Sequence, residues 1–452
     1  MYETTPETPH PAGAPTREER ISPEDLADGW PIFSTEERLE GFRLLDRDAA
    51  GEFMLALSTL DQAELLRGMT APEARLYLRL LEPDDAADLL QAVPAEDRER
   101  LLALLDESSR QEVTALLAYA EDVAGGLMSP RYARMRPELR VDAAIAYLRV
   151  QARERLETIY YVYVLDAAQH LLGVVSFREL FAAAPEKSVR EVMSPSKVVV
   201  REDTDQEEIS RLFRQYGYLA IPVVDGEGRM RGIVTIDDIV EVVQEEATED
   251  IQKLGGMEAL DAPYLQIGFA RMVRKRAGWL AALFLGEMLT ATAMSYFEDE
   301  IARAVVLALF LPLIISSGGN SGSQATTLVI RAMALGEVQL RDWWRVARRE
   351  IAAGIALGTV LGSIGFVRIV AWQAVTPMYG EHYQRIAATV FASLIGVVMF
   401  GTIAGSLLPF LLRRLGFDPA SASAPFVATL VDVTGLIIYF GVALLILHGT
   451  LL

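Results

Sequence analysis

The run Pro425–Leu447, PFVATLVDVTGLIIYFGVALLIL, is apolar for long enough to cross a bilayer as a helix, and it contains one charge, Asp432. Such a segment commits this end of the chain to a membrane. A carboxylate at that depth is costly and normally faces a protein interior or a water path, so Asp432 marks a functional position by default. At 1.5 Å per residue it lies roughly 10–12 Å beyond Pro425.

Charge divides the chain in the same way. Its 452 residues carry a formal net charge of -20. From Arg271 onward there are 14 Lys and Arg against 10 Asp and Glu, a balance of +4; the part before it holds 28 basic and 52 acidic residues, or -24. An acidic soluble half therefore precedes an apolar membrane half. The acidic half argues against a nucleic-acid partner, which would favour a basic patch, and it suits cations. There is no Cys, which excludes disulfides and thiolate metal sites. Residues 1–33 read as a disordered tail, polar and Pro-rich at its start and without the apolar core of a signal peptide.

Residues 34–126 read as short amphipathic helices forming an acidic superhelical domain, with paired leucines such as Leu65–Leu66, Leu89–Leu90 and Leu104–Leu105. An internal duplication follows over 127–242. Leu127-Met-Ser-Pro130 recurs as Val192-Met-Ser-Pro195, and each copy continues with a helix, a strand ending in Asp166 or Asp225, a turn and a second strand running into a helix. This duplication resembles a tandem CBS-domain pair. A connecting helix from Asp237 to about Leu254 comes next, with Gly255–Gly256 to end it. The connecting helix as a domain is expected over 243–270.

Five apolar segments, roughly 277–297, 301–317, 351–375, 386–412 and 425–449, make up the membrane domain of 271–452. Arg271, Arg274, Lys275 and Arg276 precede the first, five arginines from Arg331 to Arg349 separate the second and third, and Arg413–Arg414 separate the fourth and fifth. By the positive-inside rule these loops, and the soluble half, are cytoplasmic in an inner membrane, and the C-terminus is outside. The fold class is thus multidomain: an α-helical N domain, an α/β CBS pair, a connecting helix and five membrane helices.

Within the last segment Ala424, Ala428, Asp432, Gly435 and Tyr439 recur at helical spacing, a small and polar face suited to an ion path. The second segment is expected to break at Ser316–Gln324, where Gly318-Gly-Asn320 would offer oxygens to a hard cation. Glu287 and Arg368 are further charges at membrane depth; Arg368 reads as structural, and Glu287 is balanced between structural and functional. Along the connecting helix Asp238, Glu241, Glu245 and Glu249 stack on one face. Like charges at this spacing destabilise a helix by roughly 0.2–0.5 kcal/mol per pair, which bound cations would relieve. Asp84, Asp85 and Asp88, and Asp205, Glu207 and Glu208, can supply the other side of bridging sites. Domains that repel without a divalent ion and close with it would move that helix.

The order of parts resembles the MgtE family of magnesium channels, on AGGLMSP (124–130), ETIYYVYV (157–164), EATEDIQKLG (246–255), GGNSGSQATTLVIRA (318–332), LPFLLRRLGFDPA (408–420) and PFVATLVDVTGLIIY (425–439). The resemblance implies a homodimer in a lipid membrane that conducts Mg2+ inward and closes when cytosolic Mg2+ is high. It implies pore roles for Asp432, Ala428, Ala424 and Asn320. It implies regulatory metal roles for Asp84, Asp88, Glu207, Asp238, Glu241, Glu249, Asp250 and Asp418. Some CBS pairs of the family bind ATP, and ATP at this pair stays open. Ala424 and Ser323 stand where Asn can occur, and Arg214 and Gly217 replace a small residue and a carboxylate near one sensor site. Two alternatives remain: ion-coupled exchange with Asp432 or Glu287 carrying protons, and a membrane-anchored sensor that conducts nothing. An enzyme is disfavoured, because the four His residues are scattered and no phosphate-binding loop is present.

Overall fold

A computed structural model describes residues 21–451 except 154, 155 and 197. It divides into two units, one ending at Glu245 and the other beginning at Glu246. The first unit opens with eight short helices, α1 (Pro23–Gly29), α2 (Thr35–Arg43), α3 (Arg47–Ala56), α4 (Thr59–Gly68), α5 (Ala71–Leu78), α6 (Pro83–Ala92), α7 (Ala95–Leu102) and α8 (Glu107–Leu116). Side-chain caps explain several of the starts: Ser34 and Glu37 form a reciprocal capping box on α2, and Asp106 caps α8. Alternate helices stack, α2 on α4, α4 on α6 and α6 on α8, over a leucine core that includes Leu65, Leu66, Leu89, Leu90 and Leu101.

The ordered domain starts before Ser34, which corrects the expected tail. Ser22 caps α1, and Leu26 and Trp30 enter the core, where Trp30 also stacks on the buried Arg38. The apolar side chains at 26 and 30 bury enough surface to order this segment despite its polar neighbours. Residues 1–20 lie outside the described residues.

The duplicated region comprises α9 (Ala124–Leu127), β1 (Tyr132–Met135), α10 (Val141–Gln151), β2 (Thr158–Leu165), β3 (Leu171–Ser176), α11 (Phe177–Ala182), α12 (Val189–Val192), β4 (Val200–Arg201), α13 (Gln206–Tyr216), β5 (Ala220–Val224), β6 (Met230–Thr235) and α14 (Ile236–Leu254). The two sheets are β1-β2-β3 and β4-β5-β6, each with a parallel then an antiparallel pair. Val164 faces Gly173 in one and Val223 faces Gly232 in the other, so the duplication persists in the strand register. The modules exchange their Met-Ser-Pro segments. Ser129 bridges Ile233 of the second copy, and Ser194 bridges Val174 of the first. A Cβ on Gly173 or Gly232 would lie 2.7 Å from the incoming serine carbonyl, which accounts for glycine at both places.

The connecting element is helical from Ile236 to Leu254, where Gly256 at φ 73 ends it; no helix continues over 257–268. The helix is thus a continuation of the second CBS module, and the linking region after it is irregular.

The second unit contains α15 (Phe269–Tyr296), α16 (Glu298–Arg303), α17 (Val305–Ala308), α18 (Leu311–Ala334), α19 (Trp343–Val375), α20 (Tyr383–Arg414) and α21 (Ala424–Leu447). Five helical stretches among them are long and apolar enough to cross a membrane. The second crosses over 305–334, further along than expected, and α18 runs without a break through Ser316–Gln324. Glycine here serves close packing. A Cβ on Gly318 would lie 3.1 Å from the Val397 carbonyl oxygen, and one on Gly322 would lie 2.9 Å from that of Gly401, so α18 lies directly on α20. A similar stripe, Gly354, Gly358 and Gly362, seats α19 against Met399, Ile395 and Phe391 of α20.

Candidate functional site

Two groups of carboxylates stand out, one in each unit. In the first unit, Pro83 opens α6 and places Asp84 and Asp85 in its first turn, where the helix dipole favours negative charge. Asp84 is 6% exposed, and its Oδ1 has no hydrogen-bond partner among the described residues. Burial pushes its carboxyl well above the usual range, and the charges of Asp238, Glu157 and Asp85 add to that. Burial and the charges of Glu121, Asp85, Asp238 and Glu245 push Asp88 up to about 8. Asp238 sits at the start of α14, where its Oδ2 accepts from the Thr235 amide at 3.2 Å and hydroxyl at 2.6 Å. Burial still raises it to about 7, against those hydrogen bonds.

Glu157 completes the group. It lies in the ETIYYVYV run, but its role was not legible there. Burial, then the charge of Glu82, raises its carboxyl to about 7 against a weaker pull from the Ser129 hydroxyl, and its Oε2 has no hydrogen-bond partner among the described residues. The only sequence signal was an acidic residue leading into an apolar strand. Glu241 is exposed on α14 and acts on Asp85 through its charge.

A protein cation holds the rim of this group. Arg131 donates from Nε and Nη2 to Glu112 at 3.0 and 2.8 Å and from Nη2 to Ser109 at 3.1 Å, tying α8 to the first CBS module. Its Nη1 lies 3.6 Å from Glu82. Glu207 is not brought to Asp84: it is exposed in the first turn of α13, its amide donating to Asp205. Gly217 ends α13 at φ 65, a conformation that favours glycine, and Arg214 is exposed.

Among the described residues no three carboxylates converge closely enough to ligate one metal directly. The donor set nevertheless suits a hard cation that keeps its water. Mg2+ dehydrates reluctantly and is commonly held by one or two carboxylates plus waters. Orphaned oxygens on Asp84 and Glu157 are acceptors for such waters.

A second feature of this unit is a cleft of about 840 Å³ between the CBS modules, walled by Tyr160, Phe177, Phe181 and Tyr218 with Ser176, Arg178 and Ser196 among its polar groups.

In the second unit, Asp432 is half-buried in α21. Its carboxyl neighbour is Glu287 of α15, within side-chain hydrogen-bonding reach. Ala428 packs on α18, where a Cβ at Gly319 would sit 3.5 Å from the Ala428 Cβ. The Ala424 carbonyl accepts from Ser323 at 3.3 Å. These contacts run antiparallel, and the same four-residue step brings position 315 of α18 level with Asp432. Asn320 is exposed on α18 and donates to Ser316 at 3.4 Å. The expected face of α21 is split: Gly435 and Tyr439 turn into the chain's own core, the Tyr439 hydroxyl donating to the Leu307 carbonyl at 2.9 Å. A tyrosine in hydrocarbon needs a partner for its hydroxyl, and a carbonyl of the single-turn helix α17 supplies one. Arg368 is exposed on α19.

Toward the basic loops, Lys253 donates to Glu249 and, at 2.6 Å, to Asp418, which in turn accepts from the Ala420 amide. Burial works against the Lys253 charge, yet the two carboxylates hold its ammonium well above the ordinary lysine range. Asp250 is half-buried one position beyond Glu249.

The chain is 43% identical over 434 residues to the magnesium transporter MgtE of Thermus thermophilus, covering 95% of this chain and 94% of that one. It belongs to the MgtE family. The MgtE of Bacillus subtilis is 31% identical over 95% of this chain and 93% of its own. Residues 311–442 match the divalent cation transporter domain of MgtE, 21–122 the MgtE intracellular N domain and 189–245 a CBS domain. Among solved structures, the cytosolic domain of the Mg2+ channel MgtE in complex with ATP is 45% identical, covering 50% of this chain and 91% of its own with a TM-score of 0.46. As an MgtE protein, the chain is an integral membrane protein of a magnesium-transport family, and the relatives it matches over most of its length are named as magnesium transporters.

Proposed function

We propose that the chain is a Mg2+-selective channel for magnesium uptake, closed when cytosolic Mg2+ binds the acidic positions of its soluble half. The observation that carries this reading is the group of Asp84, Glu157 and Asp238, the first buried and the other two half-buried beside one another's charges, with orphaned oxygens on Asp84 and Glu157. Such a group is unfavourable without a cation and is relieved by one. Without Mg2+ the carboxylates repel, and α6, β2 and α14 tend apart. With Mg2+ they are drawn together. Because α14 is one unbroken helix from Ile236 to Leu254, movement at Asp238 reaches Glu249, Asp250 and the Lys253–Asp418 contact. Glu207 and Glu241 add weaker charge to the same soluble surface.

Conduction falls to Asp432, with Ala428, Ala424 and Asn320 lining its approach, and two copies of the chain would present two Asp432 side chains to one hydrated ion. In this reading the soluble half is cytoplasmic, the C-terminus lies outside and the membrane is the cytoplasmic one, which the basic loops between the spans support. ATP fits the cleft between the CBS modules, its base stacking on Tyr160, Phe177, Phe181 or Tyr218 and Arg178 near its phosphates.

The test is Mg2+ uptake into liposomes. Asp432→Ala should abolish uptake while the protein still folds, and unchanged uptake would sink the pore assignment. Joint Asp238→Asn and Glu249→Gln substitution should leave uptake running at high cytosolic-side Mg2+; normal closure would remove the sensor reading.

A further inference from the structure

Glu287 enters neither the reading of the pore nor that of the sensor, and it stands where a carboxylate is costly. It lies in α15, none of whose residues is buried within the chain, and it is itself exposed at bilayer depth. Three contacts fix how α15 runs beside α21. Trp279 Nε1 donates to Ser423 Oγ at 3.2 Å, a Cβ on Gly286 would sit 2.9 Å from Thr429 Cγ2, and Glu287 meets Asp432. These pairs advance together along both helices, 279 with 423, 286 with 429 and 287 with 432, so the helices are parallel. Glycine at 286 allows α15 close enough to bring the next side chain onto Asp432. Acyl chains cannot solvate the exposed side of this pair, so that side belongs to a water-filled path.

We propose that Glu287 is a second carboxylate of the membrane ion site, acting with Asp432 on the hydrated cation and setting the preference for divalent over monovalent ions. The inference rests on the reading of Asp432 as a pore residue. A doubly charged ion gains twice the attraction of a singly charged one from each added carboxylate, so a second carboxylate sharpens selection by charge without requiring the ion to shed its water.

The experiment is planar-bilayer recording of the full-length protein. With divalent ions chelated, Na+ carries the current, and the Mg2+ concentration that half-blocks it reports occupancy of the site. Glu287→Gln, which keeps size and hydrogen bonding, should raise that concentration by about tenfold or more, the scale expected for removing one charge some ~7 Å from a divalent ion even in water-like surroundings. Glu287→Asp should restore most of the block, and Glu287→Gln should add little in an Asp432→Asn background. Block at the wild-type concentration in both Glu287→Gln and Glu287→Ala would overturn the proposal, as would wild-type Mg2+ flux that follows an imposed proton gradient. Should Asp432→Ala conduct normally, the pore reading itself fails, whatever the Glu287 variants do.

Discussion

Replacing Asp238 by Asn tests the sensor in its most direct form. The carboxyl is raised from its usual value of 3.8 to about 7 by burial, although Thr235 donates two hydrogen bonds to it. A carboxyl raised in the folded state contributes stability that is full below its unfolded value and is lost as pH rises through the folded one. The loss is therefore complete above about pH 8. At about 1.4 kcal/mol per unit, three units set an upper bound of about 4 kcal/mol on the penalty. Asn keeps a neutral acceptor for Thr235 and gives up only the charge-assisted part of those two hydrogen bonds, at a cost of about 0.5–1 kcal/mol. With relaxation of the surroundings, the net gain for metal-free Asp238→Asn at about pH 8 is about 1–3 kcal/mol, or about 2–10 °C in the melting of a unit this large. Near pH 5 the wild type is protonated at this position and the two proteins should melt together. Added Mg2+ should stabilise the wild type more than the variant, which keeps only the other acidic positions. The assay is thermal unfolding of the full-length protein in detergent, with chelator or with Mg2+, across that pH range. A variant that melts lower than wild type at pH 8 without metal, or that keeps the whole Mg2+ gain, refutes the reasoning.

Three other substitutions probe the supports of these sites. Arg131→Ala should cost about 2–4 kcal/mol in the same melting assay, because it strands Glu112 and Glu82 at the rim of the acidic group; Arg131→Lys should recover only part, since it cannot bond Glu112 and Ser109 together. Lys253→Met leaves Glu249 and Asp418 facing each other without their shared cation, so the melting midpoint should fall in chelator and recover when Mg2+ is added; loss of recovery would show that the lysine is structural only. Gly322→Ala puts a methyl 2.7 Å from Val427 Cγ1 and 2.9 Å from the Gly401 carbonyl oxygen, which should destabilise the membrane unit by about 1–3 kcal/mol and lower uptake, whereas Gly441→Ala, with open space around it, should do neither.

Much of the architecture was written in local patterns. Apolar length gave the membrane half, the repeated Met-Ser-Pro and strand–turn–strand pattern gave the CBS pair, and Gly255–Gly256 gave the end of the connecting helix. Errors arose where one residue type serves two physical ends. Glycine at 318, 319 and 322 read as a break, because an isolated run of glycine weakens a helix; in the fold it buys backbone contact with α20, and the helix stays whole. Trp30 and Leu26 sat beside a polar tail and needed a core from helices further along to become ordered.

By itself, the sequence determined that a carboxylate would stand at bilayer depth at Asp432, that the soluble half would carry excess negative charge, and which stretches would be helix or strand, since these depend on composition and short-range periodicity. Only the tertiary structure decided which charges meet. Asp84, Glu157 and Asp238 are far apart along the chain and become one electrostatic group because α6, β2 and α14 fold together, while Glu207 stays outside it. Glu287 comes beside Asp432 because a glycine one position earlier lets two helices approach. Charge interactions depend on distance and on the exclusion of water, and both are set by packing between segments that no local spacing can reveal.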